Sequence, residues 1–184
     1  MNRNMIGAMG ALAIAISMST AADARNPMVG GAAMYPTKNI VENAVNSADH
    51  TTLVAAVKAA GLVDALEGKG PFTVFAPVNS AFTALPAGTV DTLLKPENKD
   101  QLTKVLTYHV VPGALTFVKL KKMVQMGGGK AELKTLAGED LTAMLNGPNN
   151  ITIKDSKGNV ADITIYDIIQ SNGVIHSIDK VLLP

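Results

Sequence analysis

Cysteine and tryptophan are absent from the chain, and arginine is almost absent, because only Arg25 remains after residue 24. Without cysteine, the protein has no disulfide, no thiolate metal site and no cysteine nucleophile, so its stability depends on burial of a core. Planar guanidinium groups are the usual readers of phosphates and base edges in nucleic acids. The lack of arginine therefore argues against a nucleic-acid partner.

Aromatic residues are also scarce, at 4% of the chain, which disfavours a deep carbohydrate groove built from stacked rings. The formal net charge is +1, so no strong field of one sign is expected. A length of 184 residues suits one domain with a sizeable core. These features favour a single compact domain, for which flat or peptide-like contacts remain open.

The first 24 residues have the pattern of a secretory signal peptide. Arg3 precedes an apolar run from Met5 to Ile16, which is too short to cross a bilayer, and small residues end the segment at Ala24. We expect cleavage there, export to the periplasm or the exterior, and no stable membrane span afterwards. Residues 25–38, rich in Pro, Gly and small residues, are predicted to be a flexible lead into one domain at 39–184.

The domain is predicted to be α+β, because helical periodicity comes first and strand alternation later. The early apolar spacing indicates helices divided at Gly61, with Asp49 or Thr51 as a cap. A strand is predicted over Phe72–Ala76, then a short helix capped by Asn79 or Ser80, a helix over 99–106, a strand in "LTYHVVPG", and a helix in "LTFVKLKKMVQ". The rest is predicted to be mainly strands separated by turns.

Candidate reactive groups are few. His109 and His176 lie in apolar runs without the spacing of a metal site, and we interpret both as hydrogen-bonded structural groups. No metal or other cofactor is expected, and the chain has no Gly-x-Ser-x-Gly elbow of a hydrolase. Lys119, Lys121 and Lys122 suit a solvated helix face, with contact to an anionic polymer or lipid as the alternative.

Three segments together resemble the fasciclin domain family in order and spacing: "GPFTVFAPVNSAF" from Gly70, "LTYHVVPG" from Leu106 and "DIIQSNGVIHSIDKVLLP" from Asp167. The resemblance covers roughly Asn39 to Pro184. It implies a β-wedge of two sheets with several helices packed at one side. It also implies a non-enzymatic extracellular module.

The same resemblance implies partner-binding roles for Tyr108, His109, Asp167 and Ile168, which match the Tyr-His motif and the Asp-Ile pair of animal members. The leading hypothesis is a secreted adhesion module that binds a cell-surface or matrix protein or polysaccharide. Weak self-association would strengthen such binding through avidity. The alternative is a periplasmic or extracellular carrier of a small apolar ligand, held in a cleft between the helices and the wedge.

Overall fold

The computed structural model describes residues 26–184, so the predicted signal peptide and the start at Arg25 lie outside the described residues. Within 26–184, no helix is long and apolar enough to cross a membrane. Helices and strands are both abundant, and the α+β prediction is confirmed. The seven α-helices and nine strands of this range are α1 Ile40–Ala44, α2 Thr51–Ala60, α3 Val63–Glu67, α4 Asn79–Thr83, α5 Thr89–Leu93, α6 Lys99–Tyr108, α7 Phe117–Met126, β1 Met28–Val29, β2 Ala32–Ala33, β3 Phe72–Pro77, β4 Val110–Pro112, β5 Lys130–Lys134, β6 Asp140–Leu145, β7 Ile151–Lys154, β8 Val160–Gln170 and β9 Gly173–Ile178, with short 3-10 helices at Ala48–His50 and Pro96–Asn98.

Seven strands form a mixed sheet in the order β4-β3-β9-β8-β7-β6-β5. Only β3 and β9 run parallel, and the other neighbours are antiparallel. The first residues of the long strand β8 pair with β7 and the rest with β9, with register shifts between Ile163 and Ile168. Such irregularities bend a strand. Strand β8 therefore joins two wings of the wedge: β4, β3 and β9 on one side, and the strands β5–β8, which we call the β-rich wing, on the other.

Alternating side chains of β3 and β9 supply two separate cores. Val74 and Ile175 point toward the helices α1, α2 and α6, and they belong to one buried cluster. Phe75 and Ile178 point the other way, into a second cluster built from α7 and the β5–β8 wing. The period of two along each strand thus places one apolar layer on each face of the β3-β9 pair.

The prediction of a flexible lead at 25–38 differs from the structure over the described part of that segment. Strands β1 and β2 form a hairpin, and Val29 and Met34 are buried in the core beside the helices. Gly30 fits where no side chain would, because a Cβ atom there would lie 2.5 Å from the backbone nitrogen of Asp49. Two apolar side chains and one glycine fix this hairpin against the core. So few residues produce no periodic pattern, and the hairpin therefore leaves no sign in the sequence.

The Tyr-His segment also differs from its prediction as a strand. Helix α6 continues to Tyr108, His109 follows at its C-terminal end, and the strand is confined to Val110–Pro112. The apolar run from Leu106 belongs first to the end of helix α6 and then to strand β4, and both elements contribute buried apolar side chains from it. A continuous apolar run has no period that marks such a change.

Candidate functional site

Tyr108 lies in the interior and connects the start of strand β6 with the turn that follows strand β7. Its side chain is 0% exposed, its hydroxyl donates to the carbonyl oxygen of Asp140 at 3.2 Å, and it accepts from the backbone nitrogen of Ser156 at 2.9 Å. Burial raises the pKa of the Tyr108 phenol, against the opposing effect of the hydrogen bonds with Ser156. Tyr108 is thus a neutral anchor between α6 and the β-rich wing.

His109 joins the end of helix α6 to the C-terminal segment. Its Nδ1 lies 2.8 Å from the carbonyl oxygen of Val105 and donates to it, while Nε2 accepts from the backbone nitrogen of Leu182 at 2.9 Å. Desolvation in the core lowers the pKa of His109 to about 4, although the hydrogen bond to Val105 favours the charged form. The imidazole is therefore uncharged at pH 7, and its two ring nitrogens hydrogen-bond to helix α6 and to the C-terminal segment.

Asp167 and His176 connect β8 and β9 with the start of helix α7. Asp167 has a positive φ of 53°, its carboxylate accepts from the backbone nitrogen of Phe117 at 2.7 Å, and its own nitrogen donates to Nδ1 of His176 at 3.2 Å. Nε2 of His176 donates to the carbonyl oxygen of Leu115 at 2.7 Å. Burial lowers the pKa of His176, so this ring is also neutral. The carboxylate of Asp167 satisfies a free amide in the first turn of α7 and suits the positive end of its dipole.

His50 is a further buried histidine, which the sequence patterns did not single out. Its Nδ1 lies 2.9 Å from the hydroxyl of Ser47, and its Nε2 lies 3.3 Å from the hydroxyl of Ser177. Burial lowers the pKa of His50, against the charge of Asp49. Ser177 is far along the chain, and strand β9 brings it to His50, so no local spacing could have shown this contact.

These side chains do not form a hydrolytic site. Ser177 and His176 are neighbours on β9 and point to opposite faces, and the hydroxyl of Ser177 contacts His50 instead. A serine nucleophile needs a base that a third group orients, and the polar partner on the far side of His50 is the hydroxyl of Ser47. Within residues 26–184, no group of three or more His, Cys, Asp or Glu is arranged to hold a metal ion.

The four residues that the family resemblance singles out do not share one exposed patch. Tyr108, His109 and Ile168 are 0%, 2% and 1% exposed, and Asp167 is half-buried. His109 and Ile168 line the same apolar cavity beside the helices, whereas Tyr108 belongs to the cluster on the other side of the sheet. Their contacts hold elements in place, so a direct contact between these three buried side chains and a partner would require the fold to open.

Helix α7, which Asp167 caps, presents a surface that combines cations with apolar side chains. Leu120 and Val124 are buried and fix the helix against the β-rich wing. We call the outward side of α7 the basic helix face, and it consists of Val118, Lys119, Lys122, Met123 and Met126. Val118 is 70% exposed and Met126 is 78% exposed, so two large apolar side chains of this helix lie in contact with solvent.

The third lysine of the predicted cluster, Lys121, contacts other parts of this chain. The Nζ atom of Lys121 donates to the carbonyl oxygen of Pro148 at 2.8 Å and lies 5.8 Å from the centre of the Phe117 ring. Lys119 donates to the carbonyl oxygen of Ala114 at 2.9 Å from an exposed position. Lys121 is half-buried, whereas Lys119 and Lys122 are exposed, so the charges offered to a partner on this face come from Lys119 and Lys122.

Comparison with known proteins identifies the family, since the fasciclin domain matches residues 48–184. The chain belongs to the fasciclin domain family. A similar relative is Protein sll1483 of Synechocystis sp., 51% identical over 87% of this chain and 81% of that protein. Cell surface glycolipoprotein MPB83 of Mycobacterium bovis is 36% identical over 67% of this chain and 48% of that protein.

A solved structure shows the same fold at low sequence identity. The FAS1 domain pair from the insect cell adhesion molecule Fasciclin I superimposes with a TM-score of 0.70 at 18% identity, covering 80% of this chain and 51% of that one. The wedge predicted from the family resemblance is thus confirmed. Fasciclin domains are adhesion-type, non-enzymatic modules, and no enzymatic family is indicated for this chain.

Proposed function

We propose that this protein is an exported, non-enzymatic fasciclin module that attaches to a component of the cell surface or extracellular matrix. Two named similarities support it: MPB83 is a cell surface glycolipoprotein, and Fasciclin I is a cell adhesion molecule. Export rests on the signal-peptide pattern of residues 1–24. The partner is a surface protein or polysaccharide.

The observation that carries the proposal is the basic helix face. Its apolar side chains are held outward on a helix whose other side is anchored by Leu120 and Val124, so little ordering is needed when a partner binds. Lys119 and Lys122 lie on the same face and add a positive charge that suits an anionic partner. Exposed side chains on a rigid scaffold are what an adhesive contact requires.

In this proposal, Asp167 acts by positioning α7 rather than by touching the partner. Its carboxylate accepts a hydrogen bond from the first backbone nitrogen of α7. The next residue of β8, Ile168, is buried in the core and holds Asp167 in place. The Asp-Ile pair of the family resemblance would then affect binding through the helix that it supports.

The test is binding of the labelled mature protein, residues 25–184, to intact producing cells and to their extracted matrix. Charge reversal in Lys119→Glu/Lys122→Glu should weaken saturable binding by roughly tenfold, and added salt should weaken wild-type binding in the same direction. The matched control, Lys154→Glu/Lys157→Glu, changes two exposed lysines around the β7–β8 turn by the same charge and should bind as the wild type does.

A folded Lys119→Glu/Lys122→Glu protein that binds as well as its control would refute the basic helix face as the contact surface. Failure of the wild type to bind either material would refute attachment itself.

A further inference from the structure

Methionine supplies all of the sulfur in this chain, because cysteine is absent. Nine methionines occur in the sequence, four of them within residues 1–24, so five lie in the range that the structure describes. A thioether is a soft, apolar group, and an oxidant converts it to a polar sulfoxide. Met123 and Met126 belong to the basic helix face, so two of the five sulfur atoms lie on the proposed contact surface.

The five methionines differ widely in their exposure to solvent. Met126 is 78% exposed and Met123 is 36% exposed, whereas Met34 is 2% exposed and Met144 is half-buried on β6. Met28 is 62% exposed, but it lies on the β1–β2 hairpin and not on α7. Because oxidation follows exposure, a dissolved oxidant should reach Met126, Met28 and Met123 before the other two.

The two methionines of α7 lie beside its exposed lysines. Met123 follows Lys119 by four positions, and Met126 follows Lys122 by four. Residues with this spacing are neighbours on a helix surface, and so are residues three apart, such as the two methionines themselves. The buried side chains of α7 point the other way, into the second core cluster. A change at the two sulfur atoms therefore alters the contact surface without altering the core.

We infer that Met123 and Met126 form an oxidation site for peroxides, and that their conversion to methionine sulfoxide releases the basic helix face from its partner. Each sulfur lone pair takes up one oxygen atom of hydrogen peroxide as the O–O bond breaks, and water leaves. The sulfur is oxidised by two electrons, and the peroxide is reduced by two. The inference rests on the proposed function, because it takes this face as the contact surface.

A sulfoxide weakens the contact because its oxygen is a hydrogen-bond acceptor that water satisfies. When a partner covers the face, this oxygen loses its water, and burial of a polar group without a new partner costs free energy. The lysines keep their charge, so the loss comes from the apolar part of the face. Methionine sulfoxide reductases, one for each epimer, return the sulfoxide to the thioether, so the release is reversible.

The test combines an oxidation map with matrix binding of the labelled mature protein, residues 25–184. After limited treatment with hydrogen peroxide, mass spectrometry of proteolytic peptides should show Met126 and Met123 oxidised well before Met34. The dissociation constant for extracted matrix should rise by roughly tenfold, and treatment with both sulfoxide reductases should restore it. The melting temperature should stay unchanged, because the buried methionine is intact.

Three variants separate this site from the other methionines. Met123→Leu/Met126→Leu keeps two apolar side chains of similar size, so it should bind like the wild type before peroxide treatment and keep that affinity afterwards. The matched control, Met28→Leu, removes an exposed methionine outside α7 and should lose affinity after treatment as the wild type does. Met123→Gln/Met126→Gln places polar groups on the face and should bind roughly tenfold more weakly without any oxidant.

A protein that is oxidised at both positions and still binds as before would overturn the release step while leaving the proposed function intact. An equal loss of affinity in Met123→Leu/Met126→Leu after peroxide treatment would place the sensitive group elsewhere. Oxidation of Met34 as fast as that of Met126 would refute the selective site. If the untreated wild type does not bind, the proposed function and the release step fail together, and the oxidation map alone decides the site.

Discussion

At the scale of single residues, three histidines act as neutral connectors between segments that are distant in the chain. His50 links α2 to β9, His109 links α6 to the C-terminal segment, and His176 links β9 to the start of α7. An imidazole can donate at one ring nitrogen and accept at the other, so one small buried side chain satisfies groups on two segments. The same neutrality removes these residues as charged contacts for a partner.

Replacement of His109 tests this connecting role. In His109→Ala, the carbonyl oxygen of Val105 and the backbone nitrogen of Leu182 lose their side-chain partner inside the core. We expect the free energy of unfolding in urea to fall by about 1–3 kcal/mol. Gln101→Ala, an exposed change on the same helix, should alter it by less than about 0.5 kcal/mol. Unchanged stability of His109→Ala would contradict the structural role.

At the scale of elements, helix α2 is capped by a side chain from another part of the chain. The side-chain oxygen of Asn79 accepts from the backbone nitrogen of Thr52 at 3.0 Å and from the hydroxyl of Thr51 at 3.2 Å, and its amide donates to the carbonyl oxygen of Ala48 at 2.7 Å. The prediction that Asn79 or Ser80 caps α4 is therefore wrong, because Val78 holds that position without a side-chain bond. The loop after β3 brings Asn79 to α2 instead.

Asn79→Ala should lower the free energy of unfolding by about 1–2 kcal/mol, since the first turn of α2 loses its acceptor. Ser80→Ala is the matched control, because Ser80 is exposed and its recorded hydrogen bond uses the backbone carbonyl oxygen. Urea denaturation of the two variants compares them directly. If Ser80→Ala were the more destabilising change, the capping assignment would fail.

The limits of sequence reasoning follow from the range of the interactions. The helix that ends at Gly61 was predictable because a left-handed C-terminal cap is a local feature, and Gly61 has a φ of 71°. The alternating strands after residue 130 were predictable for the same reason. The cap from Asn79, the contact between His50 and Ser177, and the apolar cavity depend on segments that meet only in the folded chain, and no local pattern marks them.

At the scale of the whole molecule, the histidines make stability depend on pH. Burial lowers the pKa of all three in the folded state, and for His109 it falls from 6.5 to about 4. Above pH 6.5 both folded and unfolded forms are neutral, so the histidines have no pH-dependent effect. Below it, the unfolded chain binds protons that the folded chain does not, so stability falls as pH falls toward about 4.

For His109 alone, a difference of about 2.5 pKa units corresponds to about 3 kcal/mol lost by pH 4. Chemical denaturation at a series of pH values should show the free energy of unfolding decreasing from pH 6.5 downward. His109→Phe should have a shallower slope over this range, whereas Gln101→Ala should keep the wild-type slope. A slope in His109→Phe as steep as in the wild type would show that His109 titrates normally in the fold.

In the proposed function, adhesion belongs to the outer surface, whereas the histidines stabilise the interior. The most direct test is the dissociation constant for extracted matrix of the wild type, His109→Ala and Lys119→Glu/Lys122→Glu, each measured well below its melting temperature. We expect His109→Ala to bind like the wild type despite its lower stability, and the lysine variant to keep wild-type stability and bind roughly tenfold more weakly. Loss of affinity in folded His109→Ala, with wild-type affinity in the lysine variant, would contradict it.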